Sequence, residues 1–246
     1  HVLKPDTQWR SAKIDKALAD SGDLTLELVG ADDPAVMQPL VMRYGLDQAN
    51  KLSAKIGPED FKRATDIGQS AGMPPQALEM MRPWLAAVSL AMAPMIKAGY
   101  DPKSGVEGVL TREIKAANKP VAGLETPEQQ IRFFADLPSA TEIEFLKSSL
   151  KDAEGGPAKL DKMVAAWASG DVADLEAQFI TEMKTQYPDL YELLLVKRNV
   201  DWANQLKTKL DGSGVSFVAV GSGHLVGAES VQAQLAKLGI KAERVK

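Results

Sequence analysis

One short apolar run constrains the fold of this chain more than any other stretch of its sequence. Residues 215–220 are rich in apolar and β-branched side chains, and a Gly-Ser-Gly triplet lies on either side of them. A run of this length between glycines is typical of a strand that is buried on both faces. The second triplet leads directly to His224, and ligands of open α/β sheets bind beyond the carboxyl ends of the strands. The sequence therefore predicts a buried strand that delivers His224 to a ligand site.

A second predicted strand, residues 24–29, carries a carboxylate in an otherwise apolar context. Its alternation puts three leucines on one face and Glu27 on the other. Burying this carboxylate without a partner would cost several kcal/mol. Glu27 is therefore expected to have a charged partner, to bind a metal, or to face solvent on an edge strand.

A third predicted strand, residues 120–125, repeats this pattern. It follows an amphipathic helix over residues 105–118 and ends in Glu125. Thr126 and Gln129 then form a capping box, with Pro127 in the first turn of the next helix. Glu125 is thus predicted to lie at a strand-to-helix junction, again at the carboxyl end of the sheet.

The last long helical pattern, residues 189–210, contains an arginine on its apolar face. Tyr191, Leu195, Trp202 and Leu206 form the stripe, and Arg198 occupies its missing position. A buried arginine needs an anion or a carboxylate. Either a structural salt bridge or a role in a binding site satisfies this requirement, and Asn199 beside it could hydrogen-bond in the same pocket.

The order of these patterns predicts an α/β fold with a small central β-sheet, flanking helices and two long helical insertions that form a cap. The 246 residues are interpreted as a single domain. Its α/β core would span about 1–30, 119–126 and 214–246, and the insertions about 33–118 and 127–210. Within the first insertion, prolines open the helices, and one helix is predicted over residues 75–97 with Pro83 and Pro94 as candidate kinks. The clustered methionines are interpreted mainly as core filler. A final helix (230–238) and a final strand (240–245) complete the pattern.

Composition excludes several classes of function. The formal net charge of −4 argues against nucleic acid as a partner. The longest apolar stretch, residues 85–96, is about half of the roughly 20 residues that a membrane span requires. The chain has no cysteine, which excludes disulfides, thiolate nucleophiles and cysteine-bound metal.

The candidate chemistry rests on two histidines, His1 and His224, and on the carboxylates Glu27 and Glu125. Imidazole and carboxylate ligands suit zinc, manganese, cobalt or iron. A metal with an open coordination position activates water, a further glutamate can act as a base, and Arg198 could stabilise an oxyanion. No His-Glu-x-x-His spacing and no phosphate-binding loop occurs, so spacing alone does not select a mechanism.

Several blocks of the sequence resemble the TraB/GumN family, which is related to the Tiki proteases. The most specific blocks are Arg198-Asn199-x-x-Trp202 and Gly221-Ser222-Gly223-His224. Gly105-Val106-Glu107, Gly123-Leu124-Glu125-Thr126 and Leu26-Glu27-Leu28 match further family blocks, although Glu107 replaces a more usual aspartate. The resemblance covers nearly the whole chain.

This resemblance implies a metal-dependent hydrolase with two Gly-x-x-His motifs. The second ends at His224, and the first would end at His1, with its glycine and preceding strand outside this sequence; the alternative is that His1 is a remnant of a purification tag. By resemblance, His1, Glu27 and His224 would bind manganese, cobalt or zinc, Glu125 would be a base or further ligand, and Arg198 would stabilise the transition state. Relatives are bacterial proteins that are exported to the periplasm or cell surface.

Three interpretations of the function stay open at this point. The first is a Tiki-like peptidase, with an ester or another small molecule as a less favoured substrate, as in the related erythromycin esterase-like hydrolases. The second is a non-catalytic protein that binds a metal, haem or peptide on the same scaffold. The third, an accessory role in polysaccharide export, has only the family name behind it. The oligomeric state is not predicted.

Overall fold

A three-stranded parallel sheet lies at the centre of the structure, a computed structural model that describes residues 2–245. Its strands are β1 (Asp23–Leu28), β2 (Val121–Glu125) and β3 (Ser216–Ala219), in the order β2-β1-β3. Most other residues are helical. The predicted α/β fold with a small central sheet is therefore confirmed.

The helices before β2 are α1 (Ala12–Asp20), α2 (Pro34–Gly45), α3 (Leu52–Ile56), α4 (Pro58–Ser70), α5 (Pro75–Glu79), α6 (Pro83–Lys97) and α7 (Val106–Ala116), with a 3₁₀ turn at Pro102–Ser104. Of these helices, α1 and α7 pack against the sheet, and α3, α4 and α6 contribute to a separate apolar cluster. Proline occupies the first turn of α2, α4 and α5, as predicted, and also that of α6, where it was expected inside a longer helix.

The single helix predicted over residues 75–97 is wrong. The chain leaves the helix after Glu79, and Arg82 is extended with φ −66° and ψ 154°. The cause is Pro83, whose ring disfavours helical geometry in the preceding residue and which has no N–H to continue the hydrogen-bond ladder. The interruption lets Met81 form an isolated bridge with Leu46.

The helices after β2 include two π-helical segments. The α-helices are α8 (Pro127–Ala135), α9 (Ser139–Glu154), α10 (Ala158–Ser169), α11 (Val172–Leu175), α12 (Glu182–Gln186), α13 (Pro188–Tyr191), α14 (Lys197–Leu210) and α15 (Val231–Lys237). A π-helical segment, Glu176–Thr181, joins α11 to α12, and a second, Glu192–Val196, joins α13 to α14. The predicted capping box starts α8, because the Thr126 hydroxyl accepts from the Gln129 N–H at 3.2 Å and the Gln129 side chain accepts from the Thr126 N–H at 2.7 Å.

Each face of the sheet packs against a pair of helices. Leu24 and Leu26 face α1 and α7, and Leu124 faces Trp202 of α14 and Val231 of α15. A separate apolar cluster lies among α3, α4, α6 and α9. Two of the predicted filler methionines, Met73 and Met81, pack against that cluster. The assignment of the whole chain to one domain stays a prediction.

Two expectations about the sheet are wrong, and one of the alternatives for Glu27 is excluded. The strand predicted to be buried on both faces is β3, which lies at an edge of the sheet with Ser216 and Val218 exposed. Residues 240–245 form no strand, and Val245 is 78% exposed. A strand needs a ladder partner, and an alternating sequence pattern cannot show whether one is within reach. Glu27 is not a solvated edge residue, because β1 is the central strand and its glutamate is buried. Within residues 2–245, no helix is long and apolar enough to cross a bilayer.

Candidate site at the carboxyl edge of the sheet

The predicted site residues in the described part of the chain converge at one edge of the sheet. Glu27 lies near the end of β1, and Glu125 is the last residue of β2, paired in register with Leu28. The strands are parallel, so their carboxyl ends meet at the same edge. A 3₁₀ turn (Ser222–Leu225) after β3 brings His224 to this edge, and all three side chains are buried.

Arg198 joins the two carboxylates. It lies in the first turn of α14, directly after a π-helical segment, and its side chain is 12% exposed. Its Nη2 donates to Glu27 Oε2 and to Glu125 Oε2, each at 2.9 Å, and its Nε donates to Glu125 Oε1 at 2.7 Å. The expectation that an arginine on this buried stripe has a carboxylate partner is confirmed.

Glu125 accepts four hydrogen bonds. Besides the two from Arg198, Trp202 Nε1 donates to Oε1 and Gln130 Nε2 donates to Oε2, each at 2.9 Å. Four donors occupy the lone-pair sites that a carboxylate offers. In this arrangement Glu125 is a fixed anion that orients Arg198 and Trp202. Its assignment as a base or metal ligand stays a prediction and would require at least one of these donors to move.

Glu27 has acceptor capacity left. Oε1 accepts from the Gly221 N–H and Oε2 accepts from Arg198, so each oxygen has one donor among the described residues. Residue 221 must be glycine for lack of space, because a Cβ there would lie 2.9 Å from Glu27 Oε1 and 3.7 Å from His224 Cδ2. Glu27 and His224 therefore both pack against the space that a side chain at residue 221 would fill.

The Asn199 side chain determines which atom hydrogen-bonds to Nδ1 of His224. Asn199 Nδ2 donates to the Glu229 carbonyl oxygen at 2.7 Å. A carbonyl oxygen only accepts, so the amide oxygen must be the atom that faces His224 Nδ1, at 2.6 Å. Nδ1 must then carry a proton, so in the neutral ring Nε2 is the nitrogen that has the lone pair.

Trp202 connects the histidine to the ion-pair cluster. Its ring is tilted by 40° over the His224 ring at a centroid distance of 4.3 Å, and the Arg198 guanidinium lies 4.7 Å from its centroid. Its donation to Glu125 was not anticipated from the sequence, nor was that of Gln130. The four-residue spacing from Arg198 to Trp202, which places both on one face of α14, could have indicated the first of these contacts.

A cavity of about 210 Å³ opens beside the histidine loop. Gly221, Ser222 and Glu107 line it, together with Leu3 near the start of the chain. The predicted ligand His1 lies outside the described residues. Leu3, two positions after His1, lines the same cavity as Gly221 and Ser222 of the second Gly-x-x-His motif.

The donor chemistry at this edge fits part of a metal site. His224 has its Nδ1 proton held by Asn199, which is how metal-binding imidazoles are oriented, and Glu27 has a lone pair to offer. Among residues 2–245, no group of three or more His, Asp or Glu side chains is arranged to hold a metal ion. The predicted ligand His1 lies outside these residues, so the assignment of His1, Glu27 and His224 as metal ligands stays a prediction.

Comparison with known proteins identifies the family. The model of the TraB/PrgY/gumN family matches residues 1–244. The chain belongs to this family. It is 28% identical over 182 residues to the uncharacterized protein YbaP of Escherichia coli (strain K12), which covers 74% of this chain and 67% of YbaP, and the YbaP of Shigella flexneri matches to the same extent. No solved structure matches. The resemblance that the Arg-Asn and Gly-x-x-His blocks indicated is thus confirmed.

Proposed function

We propose that this TraB/PrgY/GumN-family protein is a metal-dependent hydrolase, and that peptides are its substrates. The observation that carries the proposal is that Glu27 and His224 both pack against the side-chain position of Gly221, with His224 Nδ1 hydrogen-bonded to the Asn199 amide oxygen. Transition metals are usually bound by imidazole and carboxylate side chains whose remaining polar atoms are hydrogen-bonded to the protein.

His1, Glu27 and His224 would hold the ion, which we propose to be manganese, cobalt or zinc. Such an ion supplies Lewis acidity and an activated water nucleophile. The charge balance supports a cation here: Arg198 offsets only one of the two buried carboxylates, Glu27 and Glu125, so the three side chains have a formal charge of −1.

The remaining residues would bind and orient the reacting groups. In peptide hydrolysis the water oxygen bonds to the carbonyl carbon, the C–N bond breaks, and a proton passes to the leaving amine. Arg198 would stabilise the oxyanion. Glu125 accepts hydrogen bonds from both Arg198 and Trp202, which holds the guanidinium in place. The cavity beside Gly221 and Ser222 would admit the substrate. We further propose that the protein is bacterial and exported, acting in the periplasm or at the cell surface.

Metal analysis of the full chain tests this proposal. We expect about one divalent ion per chain after dialysis against manganese, cobalt or zinc. His1→Ala, His224→Ala and Glu27→Gln should each lower the metal content strongly. Glu154→Gln, a carboxylate change at an exposed ion pair on α9, should leave it unchanged. If the wild-type protein takes up none of the three ions, the metal-dependent function is wrong.

One observation favours a second candidate, a protein that binds a metal, haem or peptide without turnover. Glu125 is fully engaged by four donors, so it has no lone pair ready to accept a proton. Incubation of the metal-loaded protein with a mixture of peptides separates the two functions. Cleavage that Glu125→Gln abolishes supports the hydrolase, whereas stoichiometric metal without cleavage of any peptide supports the binding protein.

A further inference from the structure

A second cavity, of about 300 Å³, lies between α6, α9, α10 and α12. Met95, Met163, Met183 and Phe145 contribute to its mostly apolar wall. This volume is at the lower end of the range for small-molecule sites, which are typically apolar with a few polar groups. Methionine side chains adapt to ligands of different shapes.

This cavity shares a wall with the candidate site. Phe179 lines the cavity and packs against Gly223, where a Cβ would lie 2.5 Å from the phenyl Cε1. Leu194 also lines it, and its carbonyl oxygen accepts from Arg198 Nη1 at 3.1 Å. One residue therefore separates the cavity from the histidine loop, and another separates it from the arginine.

Both wall residues belong to π-helical segments. Phe179 lies within Glu176–Thr181 and Leu194 within Glu192–Val196. A π-helical turn has a poorer hydrogen-bond pattern than an α-helix and occurs frequently at functional sites. Here each segment contributes one residue that lines the cavity and also contacts the candidate site: Phe179 contacts Gly223, and the Leu194 carbonyl oxygen contacts Arg198.

The charged groups at the cavity define the ligand further. Lys159 donates to Glu182 at 2.8 Å and lies 3.6 Å from Asp152, and all three line the cavity. Lys159 is thus paired with two carboxylates, and these three side chains together have a formal charge of −1. A ligand with a negative charge would be repelled here, whereas a neutral or cationic one would not.

We propose that this cavity is a specificity pocket that takes up a large apolar group without negative charge, such as an aromatic or branched side chain of a peptide. The link to a peptide rests on the proposed hydrolase function. The affinity of the cavity for the apolar group does not depend on it.

Dye binding tests the cavity itself. N-phenyl-1-naphthylamine is neutral, and 1-anilinonaphthalene-8-sulfonate has the same rings with an added negative charge. We expect the neutral dye to bind the full-length protein about tenfold more tightly than the sulfonate. Ala153→Leu and Ala91→Leu, which fill the cavity from α9 and α6, should each weaken the neutral dye about tenfold. Ala140→Leu, an exposed change on α9, and His224→Ala should not. Equal binding by the filled variants and the control, or a preference for the sulfonate, would overturn the proposal.

Peptide cleavage tests the link to the site. Wild-type protein with added manganese should cleave beside large apolar residues. Ala153→Leu should raise KM for these peptides about tenfold with metal content and kcat unchanged. Cleavage without such a preference, or with one that Ala153→Leu leaves intact, would refute the role in specificity. If metal-loaded protein cleaves no peptide, the proposed hydrolase is wrong, and the dye comparison alone decides whether the cavity binds apolar groups.

Discussion

Two partly buried arginines form similar ion pairs in clusters that differ in charge balance. Arg198 lies between Glu27 and Glu125 at the carboxyl edge of the sheet, and its side chain is 12% exposed. Arg82 lies between α5 and α6, pairs with Glu142 of α9, and is 26% exposed. Its other hydrogen bonds go to the carbonyl oxygens of Tyr44, at 3.1 Å, and Ala135, at 2.7 Å.

The charge balance distinguishes the two clusters. One carboxylate neutralises Arg82, and the two carbonyl bonds join the ends of α2 and α8 to the start of α6. That cluster acts as a clamp between helices. Arg198 instead has two carboxylates, a neighbouring imidazole and an adjoining cavity. The Arg82–Glu142 pair balances its own charge, although Glu142 Oε2 is buried without a hydrogen-bond partner among the described residues. The cluster at the edge of the sheet has an unbalanced negative charge, which favours a cation.

Removing Arg198 should have the largest effect on stability. Arg198→Met leaves two buried carboxylates without their shared cation, and we expect a loss of about 5 kcal/mol, the upper end for breaking a buried ion pair. Urea denaturation measures this loss. Added manganese should restore part of the stability of the variant if a cation can occupy the same charge environment. A loss below about 1 kcal/mol, typical of a surface pair, would contradict the comparison.

Removing Arg82 should lower the stability by less, and removing its partner Glu142 as well should restore most of the loss. Arg82→Met should cost about 3 kcal/mol, because Glu142 is then buried without its partner. A double variant, Arg82→Met with Glu142→Met, should regain most of this loss, since an apolar pair can replace a balanced buried pair.

The matched double variant at the site, Arg198→Met with Glu125→Met, should regain little because Glu27 stays unpaired. Denaturation of the four single and double variants compares the clusters directly. Equal recovery in both would show that the difference in charge balance has no energetic consequence.

Asn199 offers a finer test of the site, because orientation and stability can be separated there. Asn199→Ala removes the acceptor at His224 Nδ1 and should lower metal affinity about 10- to 100-fold. Asn199→Asp keeps an acceptor for the Nδ1 proton but loses the donor to the Glu229 carbonyl.

The aspartate variant should therefore keep metal affinity near that of the wild type while losing about 1–3 kcal/mol of stability, because a buried carbonyl is left unpaired. Calorimetric titration and denaturation give the two quantities, and nitrogen chemical shifts of the His224 ring report its tautomer. Equal metal affinity in the alanine variant and the wild type would remove Asn199 as a positioning residue.

The sequence predicted those parts of the structure that local patterns determine. Apolar runs bounded by glycine or proline located β1, β2 and β3, and helical periodicity placed Arg198 on a buried face. The loop glycine before His224 indicated the edge of the sheet where the site lies. Each of these inferences depends on a few neighbouring residues, and local patterns such as these do not depend on the rest of the fold.

Features that depend on distant partners were not predictable in this way. Residues 240–245 alternate like a strand but have no ladder partner in the described part of the chain. The hydrogen bonds that Gln130 and Trp202 donate to Glu125 depend on how α8 and α14 pack on the sheet. The break before Pro83 was present in the sequence as a local signal. The apolar helical pattern on both sides of it led to the prediction of a kink at Pro83, where the structure has a complete break.

The smallest effect is expected at a third ion pair, which is open to water and ties the start of the chain to α10. Asp161 accepts hydrogen bonds from Lys4 Nζ and from the Tyr100 hydroxyl, each at 2.8 Å. The bond from Lys4, followed by that from Tyr100, lowers the pKa of Asp161 below its usual value. Its contribution to stability is then fully present above the unfolded pKa of about 4 and is lost as the pH falls through the lower folded pKa.

Thermal unfolding of wild type and Asp161→Asn between neutral and strongly acidic pH measures this contribution. Because the pair is exposed, the midpoints should differ only slightly at neutral pH, and the difference should disappear in acid. Asp66→Asn, at an exposed helical pair on α4 far from the chain start, is the control for loss of a surface charge. The same ion pair holds the start of the chain, where Leu3 lines the cavity beside the histidine loop. If His1 is a metal ligand, Asp161→Asn should therefore also lower the metal affinity, whereas Asp66→Asn should not. A midpoint difference that persists unchanged at the acid end would show that Asp161 acts through packing and not through its charge.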